Sequence, residues 1–256
     1  MALVDQIEQE LVKSRGIPFL FVGSGLSRRY LQLEDWESLL KRYAQKFDYG
    51  YYASKHNGEL PSVASAIAED FFDRWWSPEF ANERAQFAPV QMKLECLKHA
   101  IALYMRDHES VCLEQALGQD EVKDLASATV DGIITTNWDC FLERVFPDFE
   151  VFVGQRELLV SCPQEIAEIY KIHGCRTQPS SMVLTKEDYD RFDSDCAYLA
   201  AKLVALFIER PIIFLGYSLT DPNIQLLLRN VIRGLGASHV NRLQDKLIFV
   251  QRDGGN

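Results

Sequence analysis

The chain has 256 residues, 47% of them apolar, and a formal net charge of −10. That length suits one large domain, or one domain with a sizeable insert, and the apolar share is enough for a substantial core, which excludes a disordered chain. The acidic balance speaks against nucleic-acid binding: the longest basic cluster is Arg28-Arg29, too short to steer onto a phosphate backbone.

The first ten residues are acidic and amphipathic, unlike a secretory leader with its basic start and apolar core. No run approaches the ~20 apolar residues of a membrane span. A cytosolic protein with no membrane partner is expected. Leu3, Val4, Ile7, Leu11 and Val12 mark a helix over 3–14, which Gly16 and Pro18 stop. Residues 19–22 (Phe-Leu-Phe-Val) have no polar alternation, as in a parallel strand buried on both faces. A helix follows over 35–47, with Glu34 or Asp35 placed to cap it. From about 48 to 125 strand signals vanish and helical periodicity runs through 62–76 and 90–117. The aromatics of this insert (Tyr51, Tyr52, Phe71, Trp75 and Phe80 among them) read as its core. Strand character returns at 131–136, 150–153, 168–172, 182–184, 211–216 and 246–250, with helices over 186–208 and 222–235. Strands alternating with helices predict an α/β fold, a Rossmann-like, doubly wound parallel sheet carrying a helical insert. The chain reads as a single domain over 1–256. It ends soon after a strand, so it is also compatible with the N-terminal part of a longer protein.

Four segments run from an apolar strand into a small polar turn, and in a parallel sheet such ends meet along one ligand-binding edge. Gly23-Ser24-Gly25-Leu26-Ser27 lets backbone amides approach a pyrophosphate, with Ser24 and Ser27 as added donors, or is a plain strand-to-loop turn. It is neither the full Gly-x-Gly-x-x-Gly fingerprint, since residue 28 is Arg, nor a Walker loop. In Thr135-Thr136-Asn137-Trp138-Asp139 the Asn and Asp are either helix caps or ligand groups, and an amide both donates and accepts, as a ribose hydroxyl or a water requires. His173, ahead of Gly174, is either a core histidine or a proton carrier near neutral pH. In Gly216-Tyr217-Ser218, a nucleotide has room to cross the strand ends, while Asp221-Pro222 is an ordinary helix start. The six cysteines, Cys96, Cys112, Cys140, Cys162, Cys175 and Cys196, form no Cys-x-x-Cys pair and read as reduced thiols. No metal is expected.

Taken in order, the four segments resemble the sirtuin-like family: its glycine-rich NAD loop (Gly23–Ser27), its Thr-x-Asn-x-Asp motif (Thr136, Asn137, Asp139), its His-Gly (His173-Gly174) and its Gly-Thr/Tyr-Ser turn (Gly216-Tyr217-Ser218). The wording of 182–189 and 216–223 is similar to the bacterial branch whose members degrade NAD in antiphage defence. Residues 33–40 resemble that branch's helix after the loop, with Glu34 where a proline is usual. The deacylase members carry a four-cysteine zinc module after His-Gly. Residues 175–210 hold only Cys175 and Cys196, which argues against protein deacylation.

The resemblance implies NAD as substrate and cleavage of its nicotinamide–ribose bond, giving nicotinamide and ADP-ribose. Asn137 would position the ribose and a water, His173 would contact the ribose hydroxyls or take the proton, and Asp139 would support the loop. The alternatives are ADP-ribosyl transfer or cyclisation with the same residues, and a non-catalytic module that binds NAD or ADP-ribose. An uncontrolled NAD hydrolase is toxic, so restraint by a homo-oligomer, a partner subunit or a C-terminal sensor domain is expected.

Overall fold

The structure, a computed structural model, describes residues 16–86, 92–161, 164, 166–235 and 246–250. The helix expected over 3–14, Cys162 and the last residues, 252–256, lie outside the described residues. Six strands, β1 (Phe19–Val22), β2 (Gly132–Thr135), β3 (Glu150–Val153), β4 (Glu168–Lys171), β5 (Ile212–Leu215) and β6 (Leu247–Val250), form one sheet in the order β3-β4-β2-β1-β5-β6. Every pairing is parallel. Between β1 and β2 lie α1 (Ser24–Tyr30), α2 (Trp36–Tyr43), α3 (Tyr49–Lys55), α4 (Leu60–Trp75), one turn at Ala81–Arg84, α5 (Glu95–Leu117) and α6 (Asp120–Ala126). Further on come α7 (Phe141–Val145), α8 (Gly154–Val160), α9 (Lys186–Asp195), α10 (Ala197–Glu209) and α11 (Pro222–Leu235). The chain moves from β1 to one side of the sheet for β2, β3 and β4, then returns to β1's other side for β5. The switch point therefore sits at the centre, where open α/β sheets bind ligands.

The two faces of the sheet are covered by different helices, as the unalternating strands predict. Leu20, Val22, Ile133 and Ile169 pack against residues of α2, α4 and α5, whereas Phe19, Phe21, Ile134 and Tyr170 pack against Leu199, Leu203 and Phe207 of α10 and Leu227 of α11. No strand occurs among the described residues of 48–125, and Tyr52, Phe71 and Trp75 are buried there. These helices share the core of the first sheet face rather than building one of their own. Tyr51 and Trp76 are about half exposed, at 48% and 51%, so the aromatics of this stretch are not all core.

Three local expectations need correction. Residues 182–184 are not a strand: β4 already has β2 and β3 as neighbours, and the Val183 N–H instead bonds the His173 carbonyl at 2.9 Å, after a 3-10 turn over Pro179–Ser181. The helix over 186–208 is two helices, broken at Cys196 (φ −115°, ψ 28°) after three poor helix formers, Asp193, Ser194 and Asp195. The helix expected to 47 ends at Tyr43, and its cap is Asp35, whose Oδ1 accepts the Ser38 N–H at 2.8 Å, while Glu34 pairs with Arg42 at 2.6 Å.

Candidate active site

Because β4, β2, β1 and β5 are consecutive parallel neighbours, the segments after them emerge side by side along one edge. The loop after β1 and the turn after β5 are fused backbone to backbone: the Gly23 N–H donates to the Leu215 carbonyl at 3.0 Å and the Gly25 N–H to the Gly216 carbonyl at 2.9 Å. This contact explains the glycines. A Cβ on Gly23 would lie 2.5 Å from Gly216 O and one on Gly25 2.7 Å from Gly216 Cα, while Gly216 itself has φ +60°. Two of the amides expected to face a pyrophosphate are thus committed to β5's turn. The loop goes straight into α1, whose N-cap, Gly23, makes no side-chain bond to the first turn, and Ser24 stays exposed there. An open cleft of about 630 Å³ adjoins Gly25, lined also by Arg28, Arg29, Gln32 and Leu33.

Asn137, Asp139 and Ser27 form one buried hydrogen-bonded group. Ser27 Oγ donates to Asp139 Oδ2 at 2.6 Å and accepts from Asn137 Nδ2 at 2.9 Å, and Nδ2 donates its other hydrogen to the Gly23 carbonyl at 3.0 Å. Both amide hydrogens of Asn137 are therefore spent on holding the β1 loop, and its carbonyl oxygen is the polar atom left for a ligand. The Ser27 hydroxyl is likewise committed. Asp139 Oδ1 accepts the Phe141 N–H at 3.1 Å, so the residue satisfies the first amide of α7 and anchors the loop at once. Sequence reasoning singled out Thr136, which is half-buried. The threonine that shapes the loop is Thr135, whose hydroxyl donates to the Val22 carbonyl at 2.9 Å and accepts the Asn137 N–H at 3.0 Å.

His173 is buried at the end of β4, with its ring edge-on to Tyr189 and Phe192. Nδ1 faces Asp221 Oδ2 at 3.7 Å, and Nε2 is buried without a hydrogen-bond partner. Burial holds the imidazole below its usual range against the pull of Asp221 and Asp188, which keeps it neutral at pH 7. Gly174 has φ +85°, and a Cβ there would meet Ser181 O at 2.2 Å, so the turn that aims His173 requires glycine. Asp221 does more than start a helix. It accepts the N–H groups of Asn223 and Ile224 at 3.0 and 3.1 Å, takes the Tyr189 hydroxyl at 2.9 Å, and faces the histidine. Tyr217 lies against Phe21 at 4.6 Å between centroids, with its hydroxyl buried and unpartnered, as is Asn223 Nδ2. Ser218 is exposed and bonds Thr220 at 2.9 Å, so it stands at the rim. Of the sequence candidates, Gly23, Gly25, Ser27, Asn137, Asp139, Gly216 and Tyr217 interlock directly, while His173 joins Asp221, Tyr189 and Phe192.

The layer beneath was not legible in the sequence. Lys171 is fully buried, donates to the Asp139 carbonyl, and pairs with Glu143 Oε1 at 2.8 Å. Cys140 and Cys175, scattered in sequence, bring their sulfurs to 3.8 Å beside it. The Arg176 N–H bonds the Trp138 carbonyl at 2.8 Å, and its side chain grips Glu109 of α5. Hence the loops after β2 and β4 are one unit.

Comparison with known proteins bears out the sirtuin-like resemblance. A SIR2-like domain family matches residues 131–255, which include Asn137, His173 and Gly216. Among curated proteins, one named NAD(+) hydrolase ThsA from Enterococcus faecium is 25% identical over 214 residues, covering 77% of this chain and 43% of that protein. One of the same name from Cytobacillus dafuensis is 29% identical over 216 residues, covering 83% of this chain and 37% of that protein. A third, from Bacillus cereus, is 28% identical over 113 residues, 43% of this chain and 24% of the relative. The chain thus spans about two fifths of the length of the first two relatives.

Proposed function

We propose that the chain hydrolyses NAD+ at the bond between nicotinamide and ribose, giving nicotinamide and ADP-ribose, and that it acts as an effector of bacterial antiphage defence by depleting NAD. The observation that carries the chemistry is His173: a buried, neutral imidazole whose Nε2 has no partner, set at the sheet edge where the motif loops interlock. The similarity to proteins named NAD(+) hydrolase supports the choice of substrate.

In this reading the diphosphate lies at the start of α1, beside the exposed Ser24, with the cleft of Arg28 and Arg29 alongside. The Asn137 carbonyl oxygen accepts a hydrogen bond from a ribose hydroxyl or from the attacking water. His173 Nε2 accepts the proton of a ribose hydroxyl or of the water as it adds to the anomeric carbon. Nicotinamide leaves with the bonding electrons, so the ribose passes through a cation, and a dry, fixed pocket of aligned dipoles stabilises it. Asp139 and Ser27 hold Asn137 and do no chemistry. Tyr217 and Ser218 border the nucleotide where it crosses the strand ends.

The test is chromatography of NAD incubated with the full-length protein, as wild type, Asn137→Ala and His173→Ala, each checked for folding by circular dichroism. Wild type is expected to release nicotinamide and ADP-ribose in equal amounts, and each variant to lose about a hundredfold or more. A cyclic or protein-linked ADP-ribose product would move the assignment to cyclisation or transfer. No release by the full-length protein, in its native assembly, refutes the enzymatic reading.

A further inference from the structure

Cys140 follows Asp139 directly, and Cys175 comes two residues after His173, so the two thiols sit at the roots of the two loops that carry Asn137 and His173. Their sulfurs lie 3.8 Å apart. Closing to the ~2.0 Å of a disulfide takes movement of less than 2 Å, shared between two turns. Cys175 is 2% exposed and Cys140 half-buried, which gives the pair its route to solvent through Cys140.

The surroundings separate the two thiols chemically. The Thr177 hydroxyl points at Cys175 Sγ from 3.2 Å, and Lys171 supplies a buried positive charge beside both. The Cys140 thiol hydrogen-bonds to Cys175, and this bond, with Lys171 and Thr177, pulls Cys175 well below the ordinary thiol range against the cost of burial. The same bond and burial push Cys140 up. The Thr177 hydroxyl and the Lys171 charge both favour the thiolate at Cys175, with Cys140 as the thiol beside it, the arrangement of a nucleophile and its resolving partner.

Glu143 brings a carboxylate oxygen within 4.8 Å of both sulfurs, a spacing that a metal ion also fits. Lys171 decides between the two chemistries. Its ammonium, 2.8 Å from Glu143 Oε1 and fully buried, already supplies the carboxylate with a positive charge, and adding a divalent ion would place two buried cations close together.

We propose that Cys140 and Cys175 form an oxidisable dithiol, a site where hydrogen peroxide or a small organic hydroperoxide closes a disulfide between the Asn137 loop and the His173 turn. The Cys175 thiolate attacks the peroxide, the O–O bond breaks, and Cys175 becomes a sulfenic acid as hydroxide (or alkoxide) leaves. Cys140 sulfur then displaces the sulfenic oxygen, which departs as hydroxide, and the protons of the medium and of Cys140 convert both leaving groups to water (or one to alcohol). Two electrons pass from the sulfur pair to the peroxide, and a small thiol reverses the bond by exchange.

The experiment treats the full chain with graded hydrogen peroxide, removes the excess with catalase, blocks free thiols with N-ethylmaleimide in denaturant and maps peptides by mass spectrometry. The expected result is a Cys140–Cys175 cross-linked pair, two hydrogens lighter than the dithiol and reversed by dithiothreitol, at peroxide doses that leave Cys96 and Cys112 alkylated. Cys140→Ser is expected to stop the reaction at a Cys175 sulfenic acid that dimedone traps. Full alkylation of both residues at doses that oxidise Cys96 or Cys112 overturns the proposal. So does one equivalent of zinc, found by elemental analysis of the untreated protein and lost in Cys140→Ser.

Discussion

The hydroxyl of Ser27 donates to Asp139 Oδ2 at 2.6 Å while accepting from Asn137, so one small side chain ties residues 112 and 110 positions away into a single group. Ser27→Ala removes this tie without adding volume and leaves a buried carboxylate oxygen and an amide hydrogen unpaired. The expected cost is about 1–3 kcal/mol of stability. Because the Asn137 side chain then keeps only its bond to the Gly23 carbonyl, nicotinamide release is expected to fall about ten- to a hundredfold. Thermal denaturation and the release assay read the two effects. Loss of stability with unchanged turnover would mean that Asn137 is not positioned through Ser27.

Gly23 and Gly50 offer a matched comparison. Gly23 has an ordinary backbone (φ −108°), so alanine there meets no strain of its own, yet its Cβ would sit 2.5 Å from Gly216 O and 2.8 Å from Tyr217 Cα. The β1 loop and the β5 turn must separate, and Gly23→Ala is expected to destabilise by about 1–3 kcal/mol. Gly50 lies within α3 with nothing within 4 Å of a Cβ. Gly50→Ala is expected to stabilise by about 0.5–1 kcal/mol, as glycine costs a helix entropy. Chemical denaturation of both variants checks the pair, and a neutral Gly23→Ala would refute the close approach.

His173 sets a pH dependence with a definite sign. Its folded pKa is lowered, chiefly by burial, with Asp221 and Asp188 opposing. The proton-accepting form therefore persists below the ~6.5 of a free histidine. The rate profile of nicotinamide release is expected to show an acidic limb with its midpoint below ~6.5. Stability follows the same group. Between the two pKa values the unfolded chain binds more protons than the folded one, so stability falls as pH drops through ~6.5 and levels off below the folded value. Denaturation against pH for wild type and His173→Gln isolates this slope. A midpoint above ~6.5 would contradict a buried neutral imidazole.

The strands were legible because each is a short apolar run ending in a turn signal, and burial on both faces leaves no competing pattern. For 182–184 the same apolar signal misled, since strand character says nothing of whether an edge is free to accept a partner, and β4 has none free. The sheet edge was legible for a similar reason: four polar turns after four parallel strands must meet once those strands are neighbours. What stayed hidden was the allocation of hydrogen bonds. Nothing in Gly-Ser-Gly-Leu-Ser tells that two of its amides face Leu215 and Gly216, or that Asn137 spends both hydrogens on the β1 loop. The capping box of Thr185 and Asp188 belongs to the structure alone, and the lysine that joins it is 90 residues away. The pairing of Cys140 with Cys175 depends on β2 and β4 being neighbours, which spacing along the chain does not encode.

Lys98 on α5 pairs with Asp188 on α9 at 2.7 Å, with side chains 4% and 7% exposed. Asp188 also accepts from the N–H groups of Leu184 and Thr185, from the Thr185 hydroxyl and from Arg191. Asp188's carboxyl is held low despite burial, by Lys98 first and then by these donors, and its charge in turn acts on His173. Lys98→Met keeps the apolar stem and deletes the cation. The remaining donors still satisfy the carboxylate, so the expected loss is about 3 kcal/mol, the low end for breaking a buried pair. Asp188→Ala strands the ammonium and removes the capping box together, and is expected to cost more. With Lys98 gone, the charge of Asp188 is less neutralised and favours protonated His173 more strongly. The acidic limb of the rate profile is then expected to move to higher pH in Lys98→Met, which a purely structural role for the pair would not produce. A fall in melting temperature with the limb unmoved would confine Lys98 to holding α5 against α9.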